Sequence, residues 1–238
     1  MREYLKDLSM HYDGDYHKIT NALKSQKKVP RYKSDYGYIC IGDKDYPKRL
    51  YDLQKAPYVL FYIGDIRLLK ETSISVVGSR NPSNYALEAT GKLVHNLKNN
   101  VCIVSGLAKG IDAKAHQAAL DFSTIAVLGC GIDVVYPQCN RHLFEEIKKS
   151  QLILSEYPQG VTPKRYFFPF RNRIIAALSD RLYVMSATKR SGTMTTVNEA
   201  LTLNRHVLVL PHPLGLKSGE GCNQLILEGA DILTSLSD

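Results

Sequence analysis

Three glycine-rich turns follow apolar runs of the sequence, and each contains residue types that suit phosphate binding. The turns contain Gly78, Ser79 and Arg80; Ser105, Gly106 and Lys109; and Ser191, Gly192 and Thr193. Glycine allows a tight turn, backbone amides at the start of a helix favour an anion, and arginine adds a forked donor. The same sequences also suit ordinary strand-to-helix turns, in which Arg80 is solvated and Ser191 or Thr193 only caps a helix. The phosphate hypothesis therefore requires the three turns to meet in space.

The segment from residue 157 to residue 179 combines positive charge with aromatic rings and contains no acidic residue. Its cations are Lys164, Arg165, Arg171 and Arg173, and its rings include Tyr166, Phe167, Phe168 and Phe170. Positive side chains neutralise phosphates and flat rings stack on unpaired bases, so this composition favours binding of a single-stranded nucleic acid. In the alternative interpretation the phenylalanines belong to the core and the arginines are solvated.

The elements that would position these residues alternate between apolar strands and helices. Helical segments are predicted at residues 83–98, 113–120, 140–149, 171–178 and 193–203, each after a short apolar run. This alternation predicts an α/β, extended Rossmann-like fold, a mostly parallel sheet with helices on both faces. Ligands of such folds bind beyond the carboxyl ends of the strands, where the turns lie. Residues 1–34 are predicted to form a small N-terminal helical segment, and residues 35–238 the extended Rossmann-like domain that would bind nucleic acid.

Net charge and cysteine spacing limit the class of protein. Lysine and arginine number 31 against 23 aspartate and glutamate, a formal charge of +8 that favours a nucleic acid partner. The five cysteines form no C-x-x-C pair, so we expect neither a metal site nor a disulfide framework. No apolar run has the length of a membrane span, and residues 1–10 lack the apolar core of a secretory signal. We therefore expect a cytoplasmic protein without a membrane partner.

The sequence motifs of common cofactor sites are missing. No turn reads G-x-G-x-x-G in a strand-to-helix context, and no G-x-x-x-x-G-K-[ST] motif occurs, so no cofactor is expected. Asp112 is predicted to cap the helix that follows the second turn. His116 is predicted to pack or to form hydrogen bonds rather than to act in a site.

These features together resemble the DNA-processing protein A family, DprA/Smf. The matching segments occur in family order between residues 45 and 233: 77–80 (VGSR), 105–112 (SGLAKGID), 115–116 (AH), 126–133 (AVLGCGID), 136–137 (YP), 155–158 (SEYP), 168–175 (FPFRNRII), 191–193 (SGT) and 229–230 (GA). The resemblance implies an extended Rossmann-like fold that binds single-stranded DNA in a basic pocket, forms homodimers and protects incoming DNA. It also implies a protein that is not an enzyme and helps load the RecA recombinase during natural transformation and recombination.

The resemblance also implies roles for individual residues. Arg80 would line the DNA pocket, and Lys164 and Phe167 would contact DNA. By analogy the remaining wall of the pocket would be formed by Arg171, Asn172, Arg173, Ser191 and Gly192.

The chain departs from the family pattern in three places. Ser186 stands where the family usually has a glutamate, and residues 211–213 (PHP) replace the usual Pro-Gly. The winged-helix tail of many relatives is not expected here.

Two other functions remain open at this point. A nucleoside monophosphate phosphoribohydrolase would use the same turns with Glu199 as a conceivable acid, although the expected glycine cluster is missing. A nucleotide sensor would need neither the aromatic residues nor the long basic loop.

Overall fold

The chain forms one sheet of nine strands and eight α-helices in the computed structural model, which describes residues 1–98 and 100–236. The strands are β1 (Gly37–Cys40), β2 (Val59–Gly64), β3 (Ser73–Gly78), β4 (Cys102–Ser105), β5 (Thr124–Leu128), β6 (Leu152–Ser155), β7 (Arg181–Ser186), β8 (His206–Val209) and β9 (Asp231–Ile232). The helices are α1 (Arg2–His11), α2 (Tyr16–Lys24), α3 (Asn84–Asn96), α4 (Ile111–Ala119), α5 (Arg141–Ser150), α6 (Phe167–Leu178), α7 (Gly192–Thr202) and α8 (Glu220–Leu227).

The strands are hydrogen-bonded in the order β1-β2-β6-β5-β4-β3-β7-β8-β9. All neighbours from β6 to β9 are parallel, whereas β2 runs antiparallel to β6 and β1 antiparallel to β2. The central parallel strands are buried on both faces, which explains their nearly continuous apolar sequences. The predicted fold class, a mostly parallel Rossmann-like sheet, is confirmed.

Helices cover both faces of the sheet. Ile174 of α6 and Val197 of α7 pack with Val104 of β4 on one face, which α8 also covers. Leu93 of α3 packs with Ile103 of β4 on the other face, beside α4 and α5. Successive residues of β4 thus face opposite layers, as the alternation of side chains along a strand requires.

The first two helices pack at the antiparallel edge of the sheet. Leu5 of α1 packs with Cys40 and Phe61, and Leu8 packs with Ile19 of α2. The predicted division of the chain at residue 34 stays a prediction.

The observed element boundaries differ from the predicted ones at two helices that bear on the site. Helix α6 begins at Phe167, four residues before the predicted start, because Pro169 lies in its first turn, where a missing amide hydrogen costs no helical hydrogen bond. Helix α4 begins at Ile111 with Gly110 as N-cap at a φ of 75°. The prediction that Asp112 caps this helix is therefore wrong, because Asp112 lies inside its first turn.

Four of the five cysteines, Cys40, Cys102, Cys130 and Cys222, are buried thiols, and Cys139 is exposed. Burial raises the pKa of Cys130 to about 12, which keeps this thiol uncharged near neutral pH. No disulfide or metal-binding cluster occurs among residues 1–98 and 100–236. Within the same ranges, no helix is both long and apolar enough to cross a membrane.

His116 of α4 is completely buried against the sheet. Its Nδ1 lies 2.7 Å from Oγ1 of Thr124, and that hydroxyl donates to the carbonyl of Ile103. Nδ1 must therefore carry the ring proton, which leaves Nε2 without a hydrogen-bond partner among the described residues. Burial lowers the pKa of His116 from 6.5 to about 3, because a charged ring would lose its hydration.

We expect His116 to make the protein less stable in acid. The unfolded ring takes up a proton below about pH 6.5 and the folded ring does not, so the free energy of unfolding falls as the pH decreases toward 3. Between about pH 8 and about pH 5 the loss is about 2 kcal/mol. Urea denaturation across this range should show a smaller loss for His116→Gln. His142→Gln, at an exposed position of α5, is the control and should keep the wild-type dependence.

Candidate nucleic-acid interface

A cavity of about 620 Å³ opens beyond the carboxyl ends of β3 and β7. From β3 the chain builds the sheet outward through β4, β5 and β6, and then returns to the other side of β3 with β7. The turns after β3 and β7 therefore diverge, and parallel sheets hold their ligands at such a position. The cavity is lined by Val77, Gly78, Ser79, Arg80, Ala108, Asp112, Tyr136, Arg165, Phe168, Pro169, Arg171, Asn172, Ile175, Ser191, Gly192, Thr193 and Thr196.

The first two turns are locked together by close backbone contacts. A Cβ at Gly78 would lie 2.6 Å from Cγ1 of Ile111, and a Cβ at Gly110 would overlap the carbonyl oxygen of Ser79. The amide of Ile111 donates to that same carbonyl at 3.2 Å, and the amide of Ser79 donates to the carbonyl of Ser186 at 2.8 Å. The backbone before Arg80 is thus fixed, while the Arg80 side chain is exposed at the cavity rim.

Arg171 reaches the cavity floor from α6 but is only 5% exposed. Its Nη1 donates to the carbonyl of Gly106 at 2.8 Å and to the carbonyl of Val127. A Cβ at Gly106 would lie 2.6 Å from the guanidinium, so glycine is required for this approach. Burial lowers the pKa of Arg171, yet an arginine remains charged. Arg171 therefore supplies positive charge from below and positions the second turn.

Asp112 is the one acidic residue among the described residues that line the cavity. Its Oδ2 accepts the amides of Gly106 at 3.2 Å and Ala108 at 3.4 Å, so it orders the second turn. Burial raises the pKa of this carboxyl, and the Arg171 charge opposes that rise. Three arginines against one carboxyl leave the cavity positively charged.

Arg173 lies on a different side of α6 and does not line the cavity. Its Nη2 donates to both carboxylate oxygens of Glu156, at 2.8 and 2.9 Å, and its Nε donates to the carbonyl of Lys55 at 3.0 Å. Both side chains of the ion pair are 5% exposed. The structure therefore assigns Arg173 to a buried ion pair, which corrects the expectation that it forms part of the pocket wall.

The rings at the start of α6 divide between core and cavity. Phe167 is buried and stacks on Tyr157 with ring centroids 3.9 Å apart, and Nζ of Lys164 lies 5.3 Å from the Phe167 centroid. Phe168 lines the cavity instead, between Tyr136 at 5.2 Å and the Arg80 guanidinium at 5.8 Å. The aromatic ring open to a ligand is thus one position later than the resemblance implied. The DNA contact of Phe167 stays a prediction.

The other predicted residues fall into three groups. Asn172, Ser191, Gly192 and Thr193 line the main cavity, whereas Gly106 and Lys109 line an adjoining cavity of about 300 Å³. Lys164 is exposed outside both cavities, and Ser105 is buried with its hydroxyl donating to the carbonyl of Val76. The three turns therefore meet around one site, as the phosphate hypothesis requires, although Ser105 supports that site from within the core.

The start of α7 provides backbone donors to the cavity. Ser191 occupies the N-cap position, but its side chain makes no cap hydrogen bond, and its hydroxyl has no partner among the described residues. A Cβ at Gly192 would meet nothing within 4 Å, so this turn is open. Because first-turn amides of a helix lack partners within the helix, they can bind an anion here.

Sequence reasoning did not assign cavity roles to Arg165, Tyr136 or Thr196. Arg165 belonged to the acid-free segment, and Tyr136 to a matching family segment, so both carried a usable signal. Thr196 carried no sequence signal, because its place in the cavity follows only from the helical pitch of α7, which puts it one turn after Gly192.

The candidate acid Glu199 is absent from the lining of the cavity. The phosphoribohydrolase alternative depended on this residue and therefore loses its support. Ser186 is buried and donates to the carbonyl of Ser218.

We expect Arg173→Met to destabilise the fold by about 3–5 kcal/mol, because it leaves the Glu156 carboxylate buried without a partner. The double variant Glu156→Gln/Arg173→Met should lose less, since no buried charge remains. Urea denaturation measures both, with Arg181→Met at the exposed start of β7 as control. A single variant as stable as the wild type would contradict the structural role of Arg173.

Comparison with known proteins identifies relatives over most of the chain. A sequence model of the family described as DNA recombination-mediator protein A matches residues 37–238. DNA processing protein DprA of Streptococcus pneumoniae is 44% identical over 200 residues, which are 83% of this chain and 71% of that protein. Protein Smf of Synechocystis is 43% identical over 205 residues, 83% of this chain and 52% of that protein, so the chain spans about half the length of this relative.

Solved structures agree with these matches. DNA processing protein A from Streptococcus pneumoniae has a TM-score of 0.85 at 33% identity, covering 98% of this chain and 93% of that one. DNA processing protein A from Helicobacter pylori, described for its unique single-stranded DNA binding mode, has a TM-score of 0.79 at 33% identity, covering 86% and 94%. The names of the Streptococcus pneumoniae and Helicobacter pylori relatives describe DNA processing. The chain therefore belongs to the DprA/Smf family of DNA recombination-mediator proteins.

Proposed function

We propose that this protein binds single-stranded DNA in the cavity at the carboxyl ends of β3 and β7. The observation that carries the proposal is the convergence of Arg80, Arg165 and Arg171, the start of α7 and the ring of Phe168 on one open cavity. The Helicobacter pylori relative, which is described for its single-stranded DNA binding mode, supports the same ligand.

The charges of the site divide into exposed and buried cations. Arg80 and Arg165 are exposed at the rim, and Lys109 and Lys164 are exposed close to it, so they can reach phosphates. Arg171 adds its charge from beneath without leaving its carbonyl partners. Phosphates of a strand would therefore be neutralised mainly by the exposed cations, and the amides of α7 would add uncharged donors.

Recognition of single strands would come from the ring of Phe168. This ring lies inside the cavity between Arg80 and Tyr136, where an unpaired base can enter and stack. A duplex hides its base faces within the stack and would meet only the rim cations. We therefore expect tighter binding to single strands than to duplexes of the same length.

The further roles implied by the family are also proposals. A protein that coats a strand through its phosphates would protect incoming DNA and could present it to the RecA recombinase in the cytoplasm. A homodimer is supported by the exposed apolar side chains of Leu214 after β8, Leu227 at the end of α8 and Ile232 in β9. Sedimentation equilibrium tests the dimer, and a monomer would contradict it. The rate of RecA filament formation on DNA precoated with this protein tests the loading step, and an unchanged rate would contradict it.

We expect Arg80→Ala and Lys164→Ala each to weaken binding to single-stranded DNA and to reduce its salt dependence. Each lost phosphate contact should flatten the slope of log K against log salt by about 0.7. Fluorescence anisotropy of a labelled oligomer over a salt series measures this slope. The matched control is Arg181→Ala, an exposed arginine at the amino end of the sheet, which should leave the slope unchanged. Slopes that stay at the wild-type value in both variants would remove the assignment of this cavity.

We expect Phe168→Leu to weaken single-strand binding by about 1–3 kcal/mol with little effect on the salt slope, because a stacking contact carries no charge. Phe167→Leu should instead lower mainly the stability of the fold, since its ring is buried against Tyr157. Anisotropy and urea denaturation of the two variants separate these effects. The reverse pattern would restore the stacking role to Phe167.

A further inference from the structure

The start of α2 lies against the first turn of α6, on the side away from the cavity. The ring of Tyr16 is 6.2 Å from Phe170 and stacks on Tyr58 at 5.0 Å. The carboxylate of Asp15 caps α2 by accepting the amides of His17 and Lys18 at 3.0 Å. The side chains at the start of α2 are therefore held at a fixed position beside the cavity wall.

The segment that contains α2 is rich in cations. Residues 16–33 contain six lysines and arginines and no acidic residue, a second segment of this kind besides residues 157–179. Lys18 and Lys55 are exposed, and neither forms an ion pair among the described residues. Nζ of Lys55 lies 3.5 Å from Nε2 of His17, which brings the loop before β2 next to α2. We call Tyr16, His17, Lys18 and Lys55 the α2 surface.

The α2 surface is continuous with the cavity across the end of α6. Pro169 is exposed and lines the cavity, and its neighbour Phe170 contacts Tyr16. Tyr166, 62% exposed, lies immediately before α6. A chain that leaves the cavity over Pro169 thus meets aromatic rings and then cations. Of the carboxylates on this side, Asp15 accepts the amides at the start of α2, and Glu156 is buried and paired with Arg173.

We propose that the α2 surface is a second binding surface for the same single strand of DNA, which takes the nucleotides that extend beyond the cavity across the end of α6. This inference rests on the proposed function. Interleaved rings and unpaired cations suit a flexible polyanion with exposed bases, and continuity with the cavity favours the strand already bound there over a separate partner. The N-terminal helices would then lengthen the DNA site as well as cover the sheet edge.

The test measures how the removal of two charges from the α2 surface changes the affinity for DNA oligomers of different length. Binding of oligothymidylates of about 4 to about 16 nucleotides, the range of site sizes in single-strand-binding folds, is measured by anisotropy. Wild-type affinity should rise with length. Lys18→Ala/Lys55→Ala should bind the shortest oligomer like the wild type and the longest about tenfold more weakly, with a salt slope flatter by about 1.4 for two lost phosphate contacts.

The control is Lys92→Ala/Lys148→Ala, which removes the same charge from exposed positions of α3 and α5 and should behave like the wild type at every length. If the α2 variant matches this control at the longest length, or weakens all lengths equally, the second surface is overturned while cavity binding stands. Arg80→Ala should weaken every length. A wild type that binds no oligomer would overturn the proposed function itself.

Discussion

The site depends on one topological constraint, the pairing of β3 in parallel with both β4 and β7. Because parallel strands open their carboxyl ends at the same edge, the turns after these three strands face one cavity. The close approach of Gly78 to Ile111 and of Gly110 to Ser79 removes the remaining freedom of the first two turns. Without this register, the same glycines and arginines would be ordinary features of separate loops.

Desolvation decides what each arginine of α6 can do. A buried guanidinium must keep its hydrogen-bond partners, so Arg171 is held by the carbonyls of Gly106 and Val127, and Arg173 by Glu156. The charge of Arg171 still raises the local potential, whereas the charge of Arg173 is neutralised by Glu156. In the proposed function, direct phosphate contacts would be made by the exposed Arg80 and Arg165.

The two acid-free segments show how the N-terminal helices connect with the site. Residues 16–33 and 157–179 are far apart in sequence, but the contact between Tyr16 and Phe170 joins them at one end of α6. Cations that would repel one another in a compact core are tolerated here because they lie at the surface. The exposed cations Lys18 and Lys55 are therefore held on the side of α6 that faces α2.

The sequence by itself determined the layers of the fold and the turns that carry the site, because apolar runs that end at glycine predict buried parallel strands with open carboxyl ends. Tertiary structure decided which side chains line the cavity. Helix α6 advances about 100° per residue, so adjacent residues such as Phe167 and Phe168 face core and cavity. Which residues of α6 face the cavity is set by two things: the start of the helix near Pro169 and the packing of the helix on the sheet. Neither is encoded in the local pattern of arginines and phenylalanines, so the sequence alone does not show that Arg165 and Phe168 line the cavity and that Arg173 and Phe167 are buried.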